Sequence, residues 1–184
     1  GLLPCGTIID APQFEWRGQH LDCARHYFQP ESIKGLLDLM AMFKLNRFHW
    51  HFSDDEAFRL EIECAAELWQ KSAFRGEGQT IPGVFGGGAG PSGGSYSKQT
   101  AQKLIAHARD LEIEILPEIE FPAHALTTTI IYPQLRDAAD VGTEVSVQGY
   151  HRNSVNPALA ETWQMFNEIC REVADLFPFA HLHI

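Results

Sequence analysis

The sequence has no uninterrupted apolar run of the ~18 residues that a membrane-spanning helix requires, and no basic leader ahead of an apolar core. Neither a membrane span nor a secretory signal is therefore expected. Its 14 Lys and Arg are scattered singly against 24 Asp and Glu, for a formal net charge of −10, so no basic stripe is available to a phosphate backbone or an anionic bilayer. No nucleic-acid partner is expected. Cys5, Cys23, Cys64 and Cys170 lie far apart without a Cys-x-x-Cys pair, which removes the usual spacing for zinc or dithiol chemistry. Buried thiols are expected rather than a disulfide framework. Glycines accumulate from Gly76 to Gly94, but no Gly-Lys-Ser/Thr closes the run and no strand leads into it, so it does not read as a phosphate cradle. The expectation there is a mobile loop over the mouth of the fold.

What is present is organised around Asn46 to Asp55. Phe48, Trp50 and Phe52 alternate with His49, His51 and Ser53, the period of a strand with two different faces, and the run ends on Asp54 and Asp55. Pro30 opens a helix ahead of it, with Ile33, Leu36, Leu37, Met40 and Phe43 as the apolar stripe. Phe14 to Asp22 is a short strand candidate, so the first sixty residues read as a β-α-β unit. Phe58 to Ser72 is expected to be a strand turning into a short helix.

The pattern recurs. Ser97 caps a helix with the stripe Ala101, Leu104, Ile105 and Ala108, and Leu111 to Glu120 follows as a strand that ends in Phe121-Pro-Ala-His124. Asn156-Pro157 is expected to start a last helix whose core face carries Leu159, Trp163, Phe166, Ile169, Val173 and Leu176. Ala180 to Ile184 then reads as a fourth strand. Strands alternating with helices imply a parallel sheet, and strand ends loaded with polar groups imply the active-site rim of a (β/α) barrel. The chain's 184 residues fall short of the roughly 250 of a complete barrel.

In a parallel sheet the ends carrying Asp22 and Arg25, Asp54 and Asp55, and Glu118, Glu120 and His124 converge on one side. An acidic pocket with one arginine and one histidine suits proton transfer and the holding of hydroxyl groups, because carboxylates accept in pairs and guanidinium donates in a fixed fork. Each group also has a plainer use. Asp22 and Arg25 could be a salt bridge in the strand-to-helix turn, Asp55 could satisfy backbone donors beside the loop, and Glu118 could plug the barrel interior. His49 and His51 share a face at a metal-ligand spacing that His181 and His183 repeat, so a metal-dependent amidohydrolase is one alternative. A non-catalytic sugar-binding barrel is another.

Four motifs carry a resemblance. Trp16-Arg-Gly-Gln-His-Leu-Asp22-x-x-Arg25-His-Tyr, Lys44-Leu-Asn-Arg-Phe-His-Trp-His-Phe-Ser-Asp54-Asp55, Leu116-Pro-Glu-Ile-Glu-Phe-Pro-Ala-His124 and His181-Leu-His-Ile184 resemble, in order, the barrel domain of the β-N-acetylhexosaminidases, family 20 of the glycoside hydrolases. The resemblance implies an α/β fold, a (β/α)8 TIM barrel of which residues 13–184 are the N-terminal part, roughly the first four βα units, with residues 1–12 as a linker from an upstream α/β domain. It implies removal of a terminal N-acetylglucosamine or N-acetylgalactosamine from glycan ends with retention of configuration, the substrate's own acetamide oxygen attacking the anomeric carbon. No cofactor or metal is implied. Arg25 matches an arginine that grips the sugar's hydroxyls, Asp54 and His124 match a relay to the general-acid glutamate, and Glu120 and Asp55 are the further substrate-binding candidates. In the family a Gly-Gly-Asp-Glu follows the fourth motif and supplies the acid. These 184 residues stop at Ile184, ahead of it, so the remainder of the barrel is needed and the piece alone is expected to be inactive. Ala123 stands where the family commonly has Gly, which is expected to alter the turn into His124 slightly.

Overall fold

The computed structural model describes residues 5–83 and 90–184. In chain order the first half contains strand β1 (Gly18–Asp22), helix α1 (Pro30–Met42), strands β2 (Arg47–His51), β3 (Ser53–Asp54) and β4 (Ala57–Phe58), helix α2 (Ala66–Ser72) and strands β5 (Phe74–Arg75) and β6 (Ser92–Gly93). The second half contains α3 (Lys98–Asp110), β7 (Glu114–Glu118), α4 (Leu126–Ile131), a 3-10 turn at Pro133–Leu135 and α5 (Ala160–Leu176). β1, β2 and β7 form one parallel sheet in sequence order, with a helix returning the chain between neighbours. This is the wall of a parallel barrel laid down strand by strand.

The helices start and stop where local chemistry directs them. Pro30 occupies the first turn of α1, and Ser97 Oγ accepts the Thr100 amide at 3.1 Å to cap α3. Both helices end in the same double turn. Lys44 and Glu112 take left-handed backbone at φ 55° and 59°. The following Leu45 and Ile113 amides reach back to the Met40 and Ala108 carbonyls at 2.9 and 2.8 Å. The chain therefore leaves each helix directly into the next strand. Phe43, expected in the core stripe, sits at the cap of α1 and is 69% exposed, whereas Ile33, Leu37 and Met40 are buried.

The outer face of β2 explains the aromatic run. Phe48, Trp50 and Phe52 are each fully buried; Phe48 packs on Trp50, and Trp50 and Phe52 pack on Tyr96 and Phe177 beneath the helices. The chain between β2 and α3 is an excursion pinned by Arg59. This guanidinium, 1% exposed, donates to the carbonyls of Cys23, Ala24, Ala73 and Gly94. Burial brings its pKa down to about 10, so it is a cation at neutral pH, met by backbone carbonyls and by the face of the Tyr27 ring 5.8 Å away. Gly93 is obligatory in this web, since a Cβ there would lie 2.0 Å from the Ala73 carbonyl oxygen.

Several sequence expectations are corrected. The strand expected within Phe58 to Ser72 is reduced to one parallel bridge, Leu60 to Tyr96, after the β3-β4 hairpin, and the short helix expected with it is α2. The last helix starts at Ala160 rather than at Asn156-Pro157, because Asn156 Oδ1 and its carbonyl accept from Ala158 and Leu159 and turn the chain once first. Trp163, expected on the core face, is 46% exposed, beside the buried face of Thr162, Phe166, Ile169 and Val173. The fourth strand is reduced to one parallel bridge, His183 to Glu118, with hydrogen bonds of 3.0 Å to Pro117 and Ile119. Only Cys23 of the four cysteines is buried; Cys5 and Cys64 are exposed and Cys170 is intermediate. The Gly76–Gly94 loop is closed at its base by the β5-β6 pair, and its residues 84–89 lie outside the described residues, as do residues 1–4 of the expected linker. Among the described residues no helix is long and apolar enough to cross a membrane.

Candidate active site

Parallel register determines which polar groups meet. Asp22, His51 and Glu118 are paired residues at the C-terminal ends of β1, β2 and β7, and alternation places them on the inner face opposite Phe48 and Trp50. One step lower on the same face lie His20 and His49.

Glu118 is the hub of this layer and is 5% exposed. Its Oε2 accepts from His51 Nδ1 at 2.5 Å and lies 2.8 Å from His49 Nε2 and 3.3 Å from His20 Nε2, while Oε1 is 2.8 Å from His183 Nδ1. Burial alone would raise its pKa, yet the surrounding imidazoles hold the carboxyl far below the usual range. The polar plug expected at this position is thus a carboxylate ringed by four histidines. His51 is its chief partner. Burial opposes its charge, but hydrogen bonds to Asp54 and Glu118 outweigh that and push the ring up to about 10, making it an imidazolium at neutral pH.

The line continues outward. His51 Nε2 is 3.0 Å from Asp54 Oδ2, and Asp54 Oδ1 is 3.3 Å from His124 Nδ1 and accepts the Asp55 amide at 2.7 Å. Asp54 is almost wholly buried; burial pushes its pKa up, and His51, the Asp55 amide and Arg25 more than reverse this, so the group stays ionised. The positive φ expected to trouble Ala123 falls instead on His124, at 49°. Arg25 completes the cluster, 2.7 Å from Asp22, 2.6 Å from Asp54 and 3.5 Å from Glu56. Its head is 36% exposed, and three of its five N–H groups face these carboxylates, which leaves two for a ligand.

The structure therefore brings Arg25, Asp54 and His124 together. Asp22 has the plainer use set out above, since its Oδ1 also accepts the Ala24 and Arg25 amides and so fixes the turn after β1. Asp55, a substrate-binding candidate in the sequence, is engaged by the protein itself. It is wholly buried, and its two oxygens accept from the Leu126 amide and the Asn153 side chain, so it ties the loop after β2 to the segments after β7. Glu120 is half-buried near His51 and Glu118, its amide donating to Ser53 Oγ at 2.9 Å; burial, with Asp54 and Glu118 nearby, raises its carboxyl pKa.

Two residues were not legible as site members. Glu56, 1% exposed, faces Arg25 with one oxygen and accepts the Tyr150 hydroxyl at 2.8 Å with the other; burial and the neighbouring aspartates raise its pKa. Its place directly after two aspartates was the available signal. Tyr150 lies in an irregular loop and carried none. As to cations, His20-His49-Glu118, His51-Glu118-Glu120 and Asp54-Asp55-His124 each bring three donor atoms within 4.8 Å of one another. Ion pairs and hydrogen bonds within the protein already engage most of these atoms, both ring nitrogens of His51 included.

Residues 14–184 match the family described as glycosyl hydrolase family 20, catalytic domain. A β-hexosaminidase of Vibrio furnissii is 36% identical over 184 residues, 100% of this chain and 30% of the relative. An N,N'-diacetylchitobiase of Vibrio harveyi is 30% identical over 94% of this chain and 22% of the relative. Among solved structures, the Vibrio harveyi GH20 exo β-N-acetylglucosaminidase in complex with N-acetylglucosamine superposes with a TM-score of 0.91 at 39% identity, covering 96% of this chain and 28% of that one. The chain thus spans 22% to 36% of the length of the first curated relatives it matches.

Proposed function

The chain belongs to glycosyl hydrolase family 20 and forms the N-terminal part of its TIM-barrel catalytic domain, and from that premise we propose that it builds one side of the active site of an exo-acting β-N-acetylhexosaminidase. The substrates are glycans ending in β-linked N-acetylglucosamine or N-acetylgalactosamine. A related Vibrio harveyi enzyme solved with N-acetylglucosamine supports that class. Configuration is retained, the acetamide oxygen attacking the anomeric carbon while the leaving oxygen takes a proton from a glutamic acid.

The observation that carries this reading is the bonded line Arg25, Asp54, His124 at the C-terminal ends of adjacent parallel strands. Arg25 offers its two remaining donors to hydroxyls of the terminal sugar, and Glu120 accepts from the same ring. Asp54 keeps its charge and orients His124, whose other nitrogen reaches the acid and tunes its proton affinity. The acid and the aspartate that orients the acetamide come from further residues of the barrel. Residues 13–184 are the first part of that barrel, and 1–12 lead in from an upstream α/β domain. The 184 residues alone are inactive.

The test is turnover of aryl N-acetyl-β-glucosaminide and galactosaminide by the full-length protein, with the product anomer read by proton NMR. Release of the β-anomer first is expected. No hydrolysis, or first release of the α-anomer, overturns the reading, and turnover by the 184 residues alone overturns its last clause.

A further inference from the structure

We propose that His51 and Glu118 are positioning residues, a fixed-charge pair in the barrel wall that holds Asp54 in the one orientation from which it can serve His124. This extends the proposed glycosidase site inward by two residues and rests on that reading of it.

The argument is geometric. An aspartate carboxylate rotates easily about its terminal torsion, and Asp54 has two donors competing for it, Arg25 on one side and His124 on the other. A carboxylate turned wholly into Arg25 would make a bidentate pair and leave His124 without its acceptor. His51 removes that option. Its Nε2 holds Oδ2 at 3.0 Å while the Asp55 amide holds Oδ1 at 2.7 Å, so both oxygens are fixed and Oδ1 stays 3.3 Å from His124 Nδ1. His51 is held in turn by Glu118, at 2.5 Å on its other nitrogen, and both side chains are at most 6% exposed.

The pair fits no plainer role in packing alone, because an aliphatic residue would fill the same volume without placing a carboxylate in the barrel wall. The charged and titratable groups facing the His51 ring are Asp22, 4.0 Å away, and His20 from β1, Asp54 from β3, and Glu118 and Glu120 from the third parallel strand and its exit. Arg25 acts on it through Asp54. Carboxylates outnumber cations around this ring, which is why it is held charged.

The experiment compares full-length wild type with His51→Gln and Glu118→Gln on an aryl N-acetyl-β-glucosaminide from about pH 4 to about pH 10. His51→Gln is expected to lower kcat about 100-fold with KM within about 2-fold. Asp54 loses a neighbouring cation in that variant, so the acid limb of its kcat profile moves to higher pH. In Glu118→Gln the ring loses one counter-charge and its anchor, so kcat is expected to fall about 10-fold and the alkaline limb set by the general acid to move to lower pH. Wild-type kcat and limbs in both variants overturn the proposal. If either variant fails to fold, neutron diffraction from wild-type crystals decides: deuterium on both nitrogens of His51 is expected, and a singly protonated ring overturns it. Wild-type protein that does not turn over the glycoside at all refutes the substrate reading instead, and the neutron result still tests the pair.

Discussion

Arg25 Nη2 stands 2.6 Å from Asp54 Oδ2, an ion pair that joins the turn after β1 to the loop after β2. Because it crosses between two βα segments, it reports the convergence of strand ends directly. Disturbing either partner should therefore touch substrate handling and local order together.

Asp54→Asn keeps the shape of the side chain and removes its charge. Arg25, His51 and His124 would then face an amide that donates as well as accepts, and His124 loses its anionic partner. We expect kcat of the full-length enzyme to fall by about 100-fold to 1,000-fold, with a much smaller change in KM, measured by steady-state kinetics.

Arg25→Lys retains the charge but not the fork. A single ammonium cannot span Asp22, Asp54 and Glu56 while presenting further donors to a sugar. The expected outcome is a fall in kcat/KM of about 10-fold to 100-fold, mostly through KM, read with the same aryl glycoside.

Arg59→Met addresses stability away from the sugar. The buried guanidinium serves four backbone carbonyls, and methionine would remove its donors from all of them, leaving Ala73 only the Gly94 amide. A loss of about 3–5 kcal/mol is expected in denaturant titrations. KM of the fraction that stays folded should be unchanged.

Stability should depend on pH through the Glu118-His51 pair. The His51 ring is raised from 6.5 to about 10 in the folded state, so its contribution is complete below pH 6.5 and is lost as pH rises toward 10. The Glu118 carboxyl is depressed from 4.5, so its contribution is present above pH 4.5 and is lost as pH falls below it. Urea midpoints taken near pH 3, pH 5.5 and pH 9.5 should be highest at about pH 5.5. In Glu118→Gln both slopes should flatten.

Much of this was readable in one dimension. Period-2 alternation along Arg47–His51 gave both faces of β2, and the Ser97 cap and Pro30 placed two helix starts, because these are local preferences that packing did not overrule. Trp163 and the last helix's start were misjudged. For the helix start a side-chain turn at Asn156 decided, and periodicity does not show it. The partners of Asp55 could not be read either: a carboxylate at a strand end reads alike whether it meets a ligand or, as here, Leu126 and Asn153.

By itself the sequence determined the parallel wall, its apolar outer face, and the delivery of Arg25, Asp54, Glu118 and His124 to one rim, since those follow from residue spacing and strand direction. Only the tertiary structure decided which of these groups touch. Glu118 meets His51 across 67 residues and Asp54 meets His124 across 70, and such pairings depend on register and burial. Burial is also what lets neighbouring charges determine each other's ionisation, a property no linear order of residues contains.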